Sequence, residues 1–192
     1  MEQILASIAN APVQDRPHFV YAKSASDSNG SMHSSGNQID EILADYYYQQ
    51  HGVYSVGIRL SNTMYGPWGH PESTLYQIFD RAAVNGTALD LSTSLDLSKL
   101  DLLHAEDAAD AMIAAMQFRP ANSKPVLFDL ASSGSLSLSQ INDATLQILD
   151  PAVSSVEIIS PSDGHVAAAE KVKHAIGWSP RVELREGLIR TL

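Results

Sequence analysis

Apolar residues recur along this chain with two different periods, and each period predicts one type of element. Helical spacing of the apolar positions predicts helices over residues 1–10, 37–51, 72–85, 106–117, 137–149, 168–176 and 184–191. Short runs of β-branched and aromatic residues predict strands over 18–22, 54–60, 126–130 and 156–159. Strands that alternate with helices of this length are typical of an α/β fold with a mainly parallel sheet.

Polar and glycine residues predict where several of these elements begin and end. Gly52 follows the 37–51 helix at the position where a left-handed residue commonly ends a helix. Ser137 and Gln140 have the spacing of a capping box, so we expect a helix to begin there. Residues 23–35 hold six serines and only one large apolar residue, Met32, which predicts an irregular loop.

The charge balance narrows the classes of partner. The 192 residues include 12 basic and 22 acidic side chains, a formal net charge of −10, which repels phosphate backbones and anionic membranes. We therefore expect no nucleic-acid partner. The sequence has no apolar run of about 18 residues and no basic start typical of a secretory signal. We expect a soluble protein without a transmembrane segment, with the cytoplasm and an organelle interior both left open.

Metal and thiol chemistry have no support in the sequence. The chain contains no cysteine, and none of its seven histidines are spaced four residues apart. Thiolate ligands and a paired-histidine zinc site are therefore not expected.

Five short motifs follow one another in an order that is more specific than any one of them. They are Phe19-Val20-Tyr21-Ala22, Arg59 with Asn62, Tyr65-Gly66-Pro67-Trp68-Gly69, His104-Ala105-Glu106-Asp107-Ala108 and Gly177-Trp178-Ser179-Pro180. In this order they resemble the landmarks of the extended short-chain dehydrogenase/reductases, the NAD-dependent epimerase/dehydratase family. The resemblance is nearest to the UDP-glucuronate 4-epimerases and extends over almost the whole chain.

The resemblance implies that this chain corresponds to the C-terminal half of a family member. Family members open with a strand, a glycine-rich turn and a helix that bind the dinucleotide pyrophosphate, and no G-x-x-G-x-x-G occurs here. We therefore expect no NAD cofactor. We also expect a single partial domain over 1–192, with a truncated Rossmann-like sheet in 1–65. A small substrate-type lobe would follow in 66–192, together with one further sheet strand near 126–130.

The resemblance also carries the family's catalytic positions onto three residues. The Ser/Thr that hydrogen-bonds the reacting sugar oxygen falls on Ser24, and an alignment anchored on Glu41 places the family's Tyr on His33 and its Lys on Asn37. The chemistry needs a phenol whose pKa is lowered by a neighbouring ammonium, and Asn37 carries no charge. His33 could serve as a base in principle, but a histidine in a serine-rich loop is more often exposed and without a role. We expect no working catalytic residue.

Four further positions could bind a substrate. By the resemblance, charge and ring stacking at these positions would hold a sugar nucleotide; they are Arg59, Asn62, Tyr65 and Trp68. Structural roles are equally open, with Arg59 in a buried ion pair and both aromatic rings in the core. Glu106 and Asp107 lie at a helix start, where acidic side chains interact favourably with the helix dipole.

A scaffold that is retained without its catalytic pair predicts a pseudoenzyme, that is, a non-catalytic structural or assembly subunit. The alternative is the substrate-binding half of an NAD-dependent UDP-sugar 4-epimerase that another chain completes. Such an enzyme would be expected to keep Tyr at position 33 and Lys at position 37, whereas this chain has His33 and Asn37. A free-standing regulator that senses sugar nucleotides stays open as a third hypothesis.

The same resemblance predicts a protein partner. In the resembled fold, the strand at 18–22 lies between the 54–60 strand and a strand from the N-terminal half. Without that half, Phe19, Val20 and Tyr21 would lie on an unpaired edge, and the helix at 1–10 is too short to be stable without packing. We expect a polypeptide, a different protein rather than a second copy, to cover this edge and the N-terminal helix.

Overall fold

The computed structural model of this chain describes residues 1–24, 32–61, 63–67, 69, 75–76, 79–80, 100–119, 124–130, 135–149 and 163–192. The helices and strands alternate, which confirms the predicted α/β class. In chain order they are α1 (Glu2–Asn10), a 3-10 turn (Val13–Asp15), β1 (Phe19–Ser24), α2 (Met32–His51), β2 (Ser55–Leu60), β3 (Thr63–Tyr65), β4 (Leu100–His104), α3 (Ala105–Gln117), β5 (Val126–Asp129), β6 (Ser135–Leu136), α4 (Leu138–Leu149), α5 (Asp163–Ile176) and α6 (Leu184–Thr191).

Packing divides the chain into two compact units. Unit 1 comprises Met1–Asn62, Asp110–Leu130 and Ala168–Ser179, and unit 2 comprises Thr63–Ala109, Ala131–Ala167 and Pro180–Leu192. The single partial domain drawn from the sequence, with its division near residue 65, stays a prediction.

The sheet of unit 1 is parallel and has the strand order β1-β2-β5. The predicted strand near 126–130 is therefore its third member. Val56, Ile58 and Phe128 are almost fully buried, as expected for strands covered on both faces. Among the described residues β1 pairs only with β2, so β1 forms one edge of this sheet.

The N-terminal helix of unit 1 is held by its packing on α2. Leu5 and Ile8 of α1 lie in one buried cluster with Tyr47 and Val53, and this packing stabilises a helix too short to persist alone. Gly52 has the left-handed φ of 66° expected of the residue that ends α2, and its N–H bonds the Tyr48 carbonyl at 2.8 Å.

One arginine joins the ends of these two helices. The Arg16 guanidinium donates to the carbonyls of Ala9 at 2.7 Å, of Ala11 at 3.2 Å and of His51. These are carbonyls that a helix end leaves without an intrahelical donor. A cation at this position also interacts favourably with both helix dipoles.

Unit 2 is built around a separate apolar cluster. Its β3 and β4 are parallel, and β4 pairs antiparallel with β6. The buried cluster comprises Tyr65, Leu75, Phe79, Leu100, Leu102, Leu136, Ile141 and Leu188. The capping box predicted for α4 is confirmed, because the Ser137 hydroxyl accepts the Gln140 N–H at 3.2 Å and the Gln140 side-chain oxygen accepts the Ser137 N–H at 2.9 Å.

The loop predicted over 23–35 is wrong at both ends. Lys23 and Ser24 belong to β1, where they pair with Arg59 and Leu60. Helix α2 begins at Met32, five residues before the predicted start. Apolar periodicity detects a helix only where apolar side chains recur, and the first turns of α2 are mostly polar.

Three short strands were not predicted, namely β3, β4 and β6. Each has two to five residues, which is too short for a clear alternation of apolar and polar positions. The predicted strand at 156–159 and most of the predicted helix at 72–85 lie outside the described residues. Within the part of the chain that the structure describes, no helix combines the length and apolarity needed to cross a membrane.

Candidate functional site

The carboxyl ends of the three parallel strands of unit 1 carry a row of charged side chains. Lys23 lies opposite Arg59 in the β1–β2 register, and Arg59 lies opposite Asp129 in the β2–β5 register. Ligands of open α/β sheets bind outside these strand ends. The row therefore lies where a ligand-binding site of this fold would be expected.

The four charges of this row are paired with one another. The Lys23 ammonium donates to Glu41 Oε1 of α2, and the same oxygen lies 3.5 Å from Arg59 Nη2. On its other side Arg59 Nη1 lies 2.5 Å from Asp129 Oδ1. The Lys23 side chain is only 4% exposed, whereas those of Glu41 and Asp129 are 41% and 52% exposed. We define these four residues as the charged row, and its formal charge is zero.

The aromatic ring beneath the charged row requires a glycine on the neighbouring strand. Tyr21 pairs with Gly57, where a Cβ atom would lie 2.7 Å from Tyr21 Cζ. Burial, followed by the nearby carboxylates beginning with Glu41, raises the pKa of Tyr21 to about 12. This phenol therefore keeps its proton at neutral pH and cannot serve as a base.

The three residues onto which the resemblance carries the family's catalytic positions lie on two elements of unit 1. Ser24 is the exposed last residue of β1, and His33 and Asn37 lie in the first turns of α2. Positions 33, 37 and 41 are four residues apart and so share one helix face. This places the backbone of positions 33 and 37 on the α2 face that carries Glu41 of the charged row.

Tyr65 lies in the core of unit 2. Its ring is 5% exposed and meets the His104 ring edge-on, with centroids 5.1 Å apart. A Cβ atom at Gly187 would come within 2.4 Å of the Tyr65 hydroxyl, so this contact requires glycine. Burial, then the charges of Asp107 and Glu183, raises the pKa of Tyr65 well above its ordinary value. Tyr65 is thus a neutral packed side chain with no open face for stacking.

The acidic start of α3 fixes the segment that precedes α6 in unit 2. Asp107 is 3% exposed, and its two carboxylate oxygens accept the backbone N–H groups of Arg181 at 2.9 Å and Val182 at 3.2 Å. Glu106 forms an ion pair with Arg190 at 2.5 Å. The helix-dipole role expected from the sequence is therefore accompanied by direct tertiary contacts.

Two of the predicted binding residues, Asn62 and Trp68, lie outside the described residues. Two clefts in unit 2 have volumes of about 130 and 160 Å³, below the roughly 300 Å³ from which ligand pockets typically begin. Among the described residues, no group of three or more His, Asp or Glu side chains could hold a metal ion.

The sequence analysis did not predict that Lys23 and Asp129 belong to a charged cluster. A usable signal was present, because each of three parallel strands has a charged residue at or near its carboxyl end. Strand ends in a parallel sheet lie side by side, so charges at these positions meet.

Comparison with known protein families identifies one family whose model matches most of this chain. The model described as the NAD dependent epimerase/dehydratase family matches residues 11–131. Among curated proteins, UDP-glucuronic acid decarboxylase 3 of Arabidopsis thaliana is 24% identical over 163 residues, which cover 82% of this chain and 46% of that protein. The chain thus spans about half the length of this relative.

Solved structures show the same fold. The Bordetella bronchiseptica enzyme WbmF, in complex with NAD+ and UDP, superposes with a TM-score of 0.71 at 21% identity, over 97% of this chain and 61% of that one. The UDP-glucuronic acid 4-epimerase of Bacillus cereus gives a TM-score of 0.74 at 16% identity, over 99% of this chain and 64% of that one.

The Asp107 contacts predict a specific loss of stability. Asp107→Asn replaces one carboxylate oxygen with an NH₂ group that faces a backbone N–H, so we expect the free energy of unfolding to fall by about 1–3 kcal/mol. Asp143→Asn on the exposed surface of α4 is the matched control and should change it by less than about 0.5 kcal/mol. Urea denaturation measures both, and equal effects would contradict the role of Asp107.

Proposed function

This chain belongs to the NAD-dependent epimerase/dehydratase family of nucleotide-sugar enzymes, and we propose that it acts as a non-catalytic assembly subunit built on that family's scaffold. The observation that carries the proposal is the charged row. At the strand ends where catalysis would take place, the basic groups of Lys23 and Arg59 face carboxylates of the same unit.

Pairing within the row removes the field that the family chemistry needs. By the resemblance, a lysine at position 37 would lower the pKa of a tyrosine at position 33. The chain has Asn37 and His33 there. Lys23 is an ammonium in the same unit, but Glu41 neutralises it, so the pair exerts little net field on a base nearby.

The residues present do not fit a nicotinamide cofactor in the way the family uses one. Hydride transfer to NAD requires that a base take the hydroxyl proton of the sugar at the same time. In this chain Tyr21 is half-buried and Tyr65 is buried, and burial raises the pKa of both phenols, so each holds its proton firmly. Neither can take the proton, and we derive no step through NAD.

One observation favours the alternative of a substrate-binding half that another chain completes. Lys23 is a buried ammonium that contacts α2 one turn beyond position 37, so it could supply the charge that Asn37 lacks if Glu41 moved away. In that case activity would depend on Lys23, and Lys23→Met would abolish it.

The assembly role rests on the edge strand. Within the described residues β1 pairs on one side only, and Phe19, Val20 and Tyr21 are half-buried rather than covered. An edge strand with apolar side chains is a template for pairing with a further strand. We propose that a segment of another polypeptide adds to β1 and also contacts α1.

The first prediction of this proposal concerns activity. The purified chain, incubated with NAD and UDP-glucose, UDP-galactose or UDP-glucuronate, should give no epimerised or decarboxylated sugar and no heat of NAD binding by calorimetry. The same assay on the complex isolated from its source tests whether another chain completes an active enzyme. Turnover that disappears in Lys23→Met or His33→Ala would establish an enzyme instead.

The second prediction concerns the edge. Val20→Lys places a charge on β1, which natural edge strands use to block pairing, and should release the subunit from its complex during sedimentation. Ala22→Lys, at an exposed position of the same strand, tests the edge without disturbing buried contacts, and Val13→Lys is the control outside it. A stable, dilute monomer whose β1 amides exchange freely would contradict the proposal.

A further inference from the structure

A small apolar cleft of unit 2 lies between α4 and α6. Its volume is about 160 Å³, and five apolar side chains line it, namely Leu136, Ala144, Ile148, Leu184 and Leu188. Leu136 and Leu188 are each 1% exposed and belong to the buried cluster of unit 2, whereas the other three are partly buried and pack against it. The cleft is thus an opening into the apolar core of unit 2. We call it the α4–α6 cleft.

The volume of the α4–α6 cleft limits the size of what it can hold. Pockets for larger ligands begin at roughly 300 Å³, so a nucleotide sugar does not fit. In another protein, however, an apolar cavity of about 150 Å³ lined by leucine, isoleucine and phenylalanine binds benzene. The α4–α6 cleft therefore has room for one apolar ring or one short branched chain.

A guanidinium supplies a polar anchor at this cleft. Arg185 of α6 and Gln147 of α4 complete the lining. Arg185 is exposed, and it takes part in none of the ion pairs that the described residues form. Helix α6 also begins here, with Glu183 at the N-cap position but without a side-chain capping bond, so its first N–H groups add positive potential. Arginine binds carboxylates through two parallel N–H···O bonds.

The carboxylates nearest to Arg185 in the sequence have other contacts. Glu186 follows Arg185 directly, yet its Oε1 lies 2.5 Å from Nη2 of Arg190. The charge of Glu183 contributes to the raised pKa of Tyr65, a buried residue of the unit 2 core. The guanidinium of Arg185 is therefore available for an anion that comes from outside the chain.

We propose that the α4–α6 cleft binds a small apolar carboxylic acid, with its ring or branched chain against the leucines and its carboxylate on Arg185. The volume and apolar lining set the size and character of the hydrophobic part, and Arg185 sets the charge. All residues of the cleft belong to unit 2, whereas the charged row and β1 belong to unit 1. Ligand binding here is thus a property additional to the proposed assembly role and independent of it.

The experiment compares benzoate with benzamide, which has nearly the same shape but no charge. Each compound is titrated into the ¹⁵N-labelled full chain, and NMR follows the backbone amide shifts. Benzoate should give saturable shifts centred on residues 144–148 and 184–188, with a Kd on the order of 1 mM, as expected of a ligand with so few atoms. Benzamide should bind about threefold more weakly, because it lacks the ion pair with an exposed arginine.

Three variants separate the two parts of the site. Arg185→Gln should weaken benzoate binding by about threefold and leave benzamide binding unchanged. Arg190→Gln is the matched control, since Arg190 belongs to the same helix but does not line the cleft, and it should change neither. Ala144→Leu places a larger side chain in the cleft and should abolish binding of both compounds, with thermal unfolding to show that the variant folds.

Four results would overturn the proposal: no saturable shift with benzoate, shifts confined to residues outside the cleft, equal binding of benzoate and benzamide, or equal loss of benzoate binding in Arg185→Gln and Arg190→Gln. None of these measurements involves turnover or release from a complex. Failure here is therefore distinguishable from failure of the non-catalytic assembly role, which the activity and sedimentation assays decide.

Discussion

A buried ammonium must face a carboxylate, and in this chain that requirement fixes how α2 lies on the sheet of unit 1. The Lys23 side chain is 4% exposed at the end of an edge strand, where an unpaired charge would cost several kcal/mol, on the order of 3–5. Glu41 supplies the opposite charge from α2. Because Glu41 also faces Arg59, and Arg59 faces Asp129, one helix and three strands are joined through a single chain of ion pairs.

This arrangement places structural contacts at the sheet edge where open α/β folds bind their ligands. A parallel sheet offers its carboxyl edge to ligands because the strand ends and following loops converge there. In this chain the converging side chains are of opposite sign and satisfy each other. On our proposal, the scaffold persists because it packs well and presents the β1 edge to another polypeptide.

Much of the fold could be predicted from the sequence because its longer elements have strong local signals. Helix α4 was predicted from a capping box that the structure contains, and the end of α2 was predicted from Gly52. Pattern alone failed where tertiary contacts decide. Lys23 and Ser24 continue β1 because they pair with Arg59 and Leu60 of β2, and strand β4 depends on neighbours that are distant in sequence.

The candidate site was predicted less completely for the same reason. The motifs identified Arg59 and Tyr65, but the sequence does not tell which residues they contact, namely Asp129 for Arg59 and Gly187 for Tyr65. The exposure of Ile39, Ile42 and Tyr46 on α2 could not be predicted either, because periodicity predicts an apolar face without showing what covers it.

The most direct measurement of the central claim is a double-mutant cycle on Lys23 and Glu41, using Lys23→Met and Glu41→Gln with urea denaturation and a turnover assay on each variant. If the pair is a structural contact, Glu41→Gln alone should lower the free energy of unfolding by about 2–3 kcal/mol, since Glu41 is partly exposed. The double variant should recover most of that loss, with a coupling energy of about 2 kcal/mol, and no variant should show turnover. A coupling energy near zero, or wild-type turnover that Lys23→Met removes, would contradict the account.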